Sequence, residues 1–359
     1  MRYFTFSWGK NYIAVRALLR VLGHDLATPP QITAPVIERG IALAHPFLCF
    51  SGKLVLGQLQ AQVERGEQEM AFMSSLGPEA CRCADTSEYL ESLFGTTCSA
   101  FSAHRIGGDG VGTALENLRS HFGPRITRAQ CMRAYAMFFG KVDLLDKIER
   151  QCLKMFHRCP NPERIRALQA EAVRRVDDAH RIVSLWRVSR WFDRVAATLP
   201  KRMEPPLARI GIVGGEHILS ELDSILMRLK RLAEHGILLD WRGGFRCLAH
   251  SDETRLAPLK SRCAEYLAPD VSTSEIFSCA HAVDFAAEGY DGLLHIYAFG
   301  CMPQTAAKPI LQRVARDSGM PMISLAVGDR FAEEGLDNRV EAFVDLLRSR
   351  RRSGRVAVR

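Results

Sequence analysis

The chain predicts an α/β fold in which two lobes built on parallel sheets are joined by a helical segment. Three observations carry this expectation. Short apolar runs alternate with segments of helical period before about residue 127 and again after about residue 205. Between them the pattern changes to long, charged, helical periodicity. The 359 residues also exceed what one hydrophobic core usually organises, so two domains are expected.

In chain order, Tyr3 to Trp8 reads as a strand and Tyr12 to Leu22 as an amphipathic helix that Gly23 ends. The Pro29-Pro30 breaker precedes a second helix, about Ala34 to Ala44. Pro46 to Phe50 is apolar and strand-like, Lys53 to Arg65 is helical, and Glu69 to Ser74 is a short strand. These elements belong to a first lobe, residues 1–127. Residues 128–204 form a helical connector or cap, interrupted at Cys159-Pro160-Asn161-Pro162. Within it Leu168 to Leu199 reads as one long amphipathic helix carrying Trp186 and Trp191.

Pro205-Pro206 marks the next boundary, and residues 205–347 repeat the logic of the first lobe. Strands are expected at Ala208 to Val213, Ile237 to Trp241, Gly292 to Ala298 and Pro321 to Val327. Helices are expected at Ile218 to His235, Glu275 to Glu288, Gln304 to Ser318 and Leu336 to Arg351. A parallel sheet in each lobe makes both Rossmann-like, and the cleft between two such lobes is the usual place for a site.

A hydrophobic content of 47% and a charged content of 25% fit a soluble globular protein. No apolar run is long enough to span a bilayer, and the N-terminus lacks the succession of a signal peptide, so a cytoplasmic protein without a membrane partner is expected. The net charge of +8 invites a nucleic-acid reading. Six arginines (Arg348, Arg350, Arg351, Arg352, Arg355 and Arg359) nevertheless lie in the last twelve residues, and removing them leaves +2. The basic tail, 348–359, reads as a loose solvated end or a weak anion contact, and no specific nucleic-acid partner is expected.

The eleven cysteines lack the regular spacing of a secreted disulfide framework. In a reducing compartment they are core fillers, reactive groups or metal ligands. The segment His295-Ile296-Tyr297-Ala298-Phe299-Gly300-Cys301-Met302-Pro303 places Cys301 in a tight turn between a strand-like run and a helix-like run. Cys49 ends the strand-like run Pro46 to Phe50, just before a helix opens at Ser51-Gly52-Lys53. Cys81 and Cys83 lie in Gly77-Pro78-Glu79-Ala80-Cys81-Arg82-Cys83, after the strand Glu69 to Ser74. Such strand-to-helix loops share one edge of a parallel sheet, where open α/β folds bind ligands beside outward-pointing N–H groups. Isolated thiols from distant loops suit an iron-sulfur cluster better than structural zinc, whose ligands come in close pairs that let a small loop close a tetrahedron. Three protein thiolates would leave one iron open for substrate or solvent.

Five segments, in this order, carry a family resemblance: Pro46-Phe47-Leu48-Cys49 to Gly57, Gly77-Pro78 to Cys83, Ala208 to Gly214, Phe299-Gly300-Cys301-Met302-Pro303, and Glu341-Ala342-Phe343-Val344-Asp345-Leu346-Leu347. Together they resemble the 2-hydroxyacyl-CoA dehydratase subunit (D-component) family, most closely its activase-related branch of CoA protein activases. The resemblance implies lobes that hold a 4Fe-4S cluster through three cysteines, here Cys49, Cys81 and Cys301. It also implies a separate ATP-dependent activator protein that delivers a low-potential electron, an acyl-CoA substrate, and a second dehydratase-like subunit. Two departures stand out. The family's compact Gly-Pro-Cys-Arg is here opened by an insertion, so Cys81-Arg82 matches best and Cys83 is the substitute ligand. After Cys49 the chain reads Phe50-Ser51-Gly52-Lys53 where the family commonly has Leu-Pro-Phe-Lys, keeping the lysine in register. Lys53 reads either as a cation near an anionic site or as a solvated helix-start lysine.

Other signals read as structural. Cys152, His157 and Cys159 form a C-x4-H-x-C cluster with no matching second half, in a helical region. Cys98, Cys131, Cys247, Cys263 and Cys279 have apolar neighbours and read as small core residues. Gly211 to Glu216 lacks the Lys-Ser/Thr of a P-loop, and Gly107 to Gly110 reads as a loop. His45 and His295, the histidines nearest the cysteine loops, read as packing or hydrogen-bonding residues. The expected function is therefore an iron-sulfur protein that accepts electrons from an activator, for acyl-CoA dehydration or reduction. The rival reading is a non-enzymatic electron-transfer or assembly subunit, or a cluster-free binding protein of the same fold.

Overall fold

In the computed structural model, the apolar runs of the second half of the chain become the strands of a parallel sheet. The structure describes residues 2–74, 87–106, 111–123, 125–215, 218–219, 222–246, 253–268, 271–329 and 333–356. Strands β4 (Ala208–Val213), β5 (Ile237–Trp241), β6 (Gly292–Ala298) and β7 (Met322–Val327) form a four-stranded sheet of order β5-β4-β6-β7, parallel throughout. The central strand β6 is buried at all seven positions, which explains why its run is apolar apart from His295: helices cover both faces of the sheet. Ile210 and Ile212 of β4 face one core, while Val213 of β4 and Leu293 of β6 belong to the other.

The first lobe holds a three-stranded parallel sheet of order β1-β2-β3, from Arg2–Phe4, Glu69–Ser74 and Ala100–Arg105. Its helices are α1 (Tyr12–Val21), α2 (Ala34–Leu43), α3 (Phe50–Val63), α4 (Ser87–Phe94) and α5 (Val111–Phe122). The first strand ends at Phe4, earlier than the sequence suggests, and the chain turns at Trp8, which takes a left-handed conformation (φ 46°). Pro46 to Phe50, expected as a strand, is instead a turn between α2 and α3 whose last residue, Phe50, opens α3. The cause lies in how these helices cross. A Cβ on Gly40 would sit 1.9 Å from the Lys53 carbonyl oxygen, and one on Gly57 would sit 2.0 Å from that of Val36. Two helices in backbone contact need only a short link, which leaves no room for a strand.

The middle segment is a three-helix unit: α6 (Arg128–Phe156), α7 (Pro162–Asp178) and α8 (Ile182–Thr198). A Thr127/Gln130 capping box starts α6, with Gln130 N–H donating to Thr127 Oγ1 at 3.1 Å. This helix spans both lobes: Cys131, Tyr135 and Phe138 enter the first lobe's core, whereas Leu145, Ile148 and Leu153 pack in the core that includes β4 and β5. The single helix expected over Leu168 to Leu199 is two. Ala179 (ψ 120°) and Arg181 (ψ 147°) are extended, and burying Ala179 lets α8 fold back against α6 and α7.

The second lobe is completed by α9 (Asp223–Glu234), α10 (Glu253–Arg262), α11 (Thr273–Ala287), α12 (Met302–Asp317) and α13 (Glu333–Val356). A Ser272/Glu275 capping box starts α11 two residues before the position read from periodicity. Helix α13 runs through Val356, so the basic tail begins as helix rather than as a loose end. Among the described residues, no helix is long and apolar enough to cross a membrane.

Candidate metal centre at the lobe interface

Parallel strands give each sheet a single carboxyl edge, and the loops leaving that edge of the second sheet pack against the first lobe. Three contacts establish this. Beyond β1, the Trp8 ring lies 4.6 Å from that of Phe245, which follows β5. At the start of α3, Phe50 N–H donates to the carbonyl of Phe299, beyond β6, at 2.9 Å. On the next turn, Lys53 Nζ forms an ion pair with the carboxylate of Asp329, beyond β7.

The two best-placed cysteines meet at this seam. Cys49 is the N-cap of α3 and Cys301 the N-cap of α12, both with extended backbone. Gly300 takes φ +78°, and a Cβ there would lie 3.2 Å from Cys49 Cα. The turn before Cys301 therefore rests directly on the backbone of Cys49. It is fixed by Cys301 N–H donating to Ala298 O at 3.0 Å and Phe299 N–H donating to Val327 O at 2.6 Å. Cys49 is buried, and Cys301 is partly open to solvent. At both positions the first-turn N–H groups and the helix dipole favour an anionic sulfur. Phe47, Phe299 and Met302 are exposed around them, which gives the seam an apolar rim.

Cys49 therefore does not end a strand as its sequence context suggests; it caps a helix that follows a turn. Lys53 is not a solvated helix-start lysine, because its side chain is buried against Asp329. Cys81 and Cys83 lie outside the described residues, as do Cys247 and Gly107 to Gly110. Among the described residues, no group of three or more His, Cys, Asp or Glu could hold a metal ion.

Directly behind the Cys301 turn is a buried polar network; His295 is the packing and hydrogen-bonding residue the sequence suggests, and its partners were not found from the sequence. Gln304, in the first turn of α12, accepts from His295 Nε2 at 3.0 Å and donates to Ser274 Oγ at 2.6 Å and Ser278 Oγ at 3.1 Å. His295 Nδ1 meets Ser324 Oγ at 2.8 Å, and its ring stacks on Tyr297 at 4.6 Å. Burial pushes the His295 imidazole down to about 4, so it is neutral near pH 7. The network ties α12 to β6, β7 and α11, and so positions Cys301. The available signal was spacing: Gln304 lies three residues after the cysteine, and His295 six before it.

His45, by contrast, is exposed beside Phe47, whose N–H lies 3.4 Å from its Nδ1. Gly214 and Gly215 take left-handed conformations close to the β6 backbone, which accounts for the glycine run after β4. Cys98, Cys131, Cys263 and Cys279 are buried. Cys152 is fully buried, and burial raises its thiol pKa. Cys159 Sγ lies 3.2 Å from Asn161 O, and His157 Nδ1 lies 2.6 Å from Lys154 O, both local contacts at a helix end.

In comparisons with known proteins, no family model and no curated protein matches the chain.

Proposed function

We propose that this chain is an iron-sulfur protein of the 2-hydroxyacyl-CoA dehydratase/activase-related kind. Cys49 and Cys301 supply two thiolates to a 4Fe-4S cluster at the lobe seam, and Cys81, or Cys83 in its place, supplies the third. The observation that supports this most is the seating of Gly300 on Cys49, which brings two helix-capping cysteines from different lobes to one place. When bound, the cluster would supply a one-electron centre of low potential with one iron open to a ligand.

The chain's own residues supply the surroundings. The α3 and α12 N-termini direct partial positive charge toward the sulfurs. The Lys53–Asp329 pair holds the lobes together one turn from Cys49. The neutral His295–Gln304 network fixes the first turn of α12 without adding charge. Electrons would come from a separate ATP-dependent activator protein. An acyl-CoA thioester would be the substrate class if the protein catalyses, and a second dehydratase-like subunit would complete the site.

Anaerobic purification followed by iron and acid-labile sulfide assays tests the reading. Iron and sulfide in equal amounts are expected, lost in Cys49→Ala and Cys301→Ala but retained in Cys279→Ala. Comparing Cys81→Ala with Cys83→Ala identifies the third ligand. A folded protein that takes up no iron after anaerobic reconstitution would sink the proposal.

A further inference from the structure

Helix α8 turns one whole face to solvent. Its inner side packs on α6 and α7 through Leu185, Val188, Phe192 and Val195. Residues spaced i, i+3, i+4, i+7 and i+11 share one side of a helix. On α8 those positions are Val183, Trp186, Arg187, Arg190 and Arg194, and all five are exposed.

The face has an apolar corner and a basic run. At the start of the helix Ile182, Val183 and Trp186 are 48%, 58% and 58% exposed. Helix α6 holds this corner closely: a Cβ on Gly140 would lie 3.0 Å from Leu185 Cδ1 and 3.5 Å from Ile182 Cδ1. Arg187, Arg190 and Arg194 follow, with Arg181 at the N-cap, and among the described residues none of the four is in an ion pair. The acids that could neutralise them are engaged elsewhere. Glu163, Glu171, Asp177, Asp178 and Asp193, the five acidic residues of α7 and α8, all pair with bases other than these four arginines. The face thus keeps its positive charge beside exposed apolar side chains.

Charge and side-chain type select the partner. Unpaired arginines around Trp and β-branched aliphatic side chains complement a surface that is anionic outside and apolar beneath. Nucleic acid fits less well, because the Arg190 guanidinium lies 4.9 Å over the Trp186 ring, where a base would stack. A specific protein partner is usually gripped by a pocket around its anchor residues, whereas this face is the outer side of a single helix. A second copy of the chain would set like charges against each other. We propose that α8 docks the protein on an anionic phospholipid membrane, with Arg181, Arg187, Arg190 and Arg194 meeting headgroup phosphates and Ile182, Val183 and Trp186 entering the acyl boundary. Docking of this kind needs no spanning segment, whose absence from the sequence is what argued against a membrane partner. The face shares no residue with the cysteine seam, so the outcome is independent of iron content.

The test is co-sedimentation of the full chain with vesicles of phosphatidylcholine containing roughly 30% phosphatidylserine, and with phosphatidylcholine alone, at about 0.1 M salt. The protein should bind the anionic vesicles, ignore the neutral ones, and come off at about 1 M salt. Tryptophan emission should shift to the blue on binding, because Trp186 is exposed whereas Trp8 and Trp241 are buried. Trp186→Phe should abolish that shift and keep most of the binding. Arg187→Gln combined with Arg190→Gln should weaken binding about twenty-five-fold, roughly fivefold per arginine. The same loss of charge in the tail, Arg351→Gln with Arg352→Gln, should weaken it far less. These α8 substitutions fall on exposed side chains, so they leave the core intact. Four outcomes overturn the proposal: no binding to anionic vesicles, equal binding to both lipids, a tail variant that loses as much binding as the α8 variant, or binding to a single-stranded RNA oligonucleotide in place of the vesicles.

Discussion

Lys53 and Asp329 stand 276 residues apart in sequence yet form an ion pair that crosses between the lobes. The Lys53 amide also donates to the Cys49 carbonyl at 3.1 Å, so this pair and Cys49 share one helical turn. Lys53 is 8% exposed, whereas the Asp329 side chain is about one-third exposed. The two partners therefore differ in what their loss costs. Asp329→Ala strands a buried ammonium near a helix N-terminus and should destabilise the protein by roughly 1–3 kcal/mol, between the values for surface and buried pairs. Lys53→Met leaves only a solvated carboxylate and should cost less. In denaturant titrations the double variant should recover part of the Asp329→Ala loss, and strict additivity would show that the pair is not coupled.

Gly300 presses on Cys49 in a left-handed conformation, so alanine there meets two penalties. The conformation itself costs about 1–2 kcal/mol for a residue with a Cβ, and the new methyl would lie 3.2 Å from Cys49 Cα. Gly300→Ala should lower stability by roughly that amount and separate the two cysteines. Iron retained after anaerobic reconstitution should therefore fall more than it does in Gly319→Ala, where the glycine is also left-handed (φ +67°) but a methyl meets open space. Equal iron in both variants would count against a site at the Gly300 turn.

The second lobe was more legible in the sequence than the first, for a physical reason. Strands β4, β5 and β6 are buried on both faces and read as largely apolar runs broken by one polar residue each, and the structure gives them the ends the sequence predicts. Pro46 to Phe50 is as apolar as a strand, but a five-residue run has no period to distinguish a turn that packs from a strand that pairs. The break at Ala179-His180-Arg181 contains neither Gly nor Pro, so only the packing of α8 reveals it. Helix α10 carries Pro258 in its interior and lacked a sequence reading. At the candidate centre, position after a strand or before a helix singled out Cys49 and Cys301. Asp329 and the role of Gln304 were not visible, because their partners come from distant segments.

Asp146 supports a prediction that runs against intuition about buried charge. Burial raises its carboxyl to about 6, against the opposing pull of the Arg246 and Phe245 backbone N–H groups. The folded state thus binds the proton more tightly than the unfolded one, and this group's contribution to stability falls as pH rises from about 4 to about 6. Asp146→Asn removes that dependence and the buried charge. It also turns an NH2 toward one of two backbone donors, since each carboxylate oxygen accepts one of them. At pH 7 the variant should be less stable by about 1–3 kcal/mol, despite being neutral. Denaturation midpoints at pH 7 and pH 5 should show the gap between the two proteins widening at the lower pH.

His295 has the opposite sign. Burial holds its imidazole at about 4, with the Gln304 hydrogen bond opposing and Lys308 adding to the depression. The unfolded chain takes up a proton near pH 6.5 and the folded chain does not, so stability is full above that pH and is lost as pH falls toward 4. The loss from this residue should approach about 3 kcal/mol at pH 4. His121 is also lowered to about 4, by burial first and then by His104 and His24, so it contributes to the slope in the same direction. The comparison that isolates His295 is therefore wild type against His295→Asn, whose pH profile should be shallower between 6.5 and 4. Gln304→Leu separates network from titration. It leaves the Ser274 and Ser278 hydroxyls and the His295 ring without their shared partner, and should cost roughly 2–4 kcal/mol even at pH 7. If the His295→Asn profile runs parallel to wild type, the acid sensitivity belongs to the first lobe's histidines and not to the wall behind Cys301.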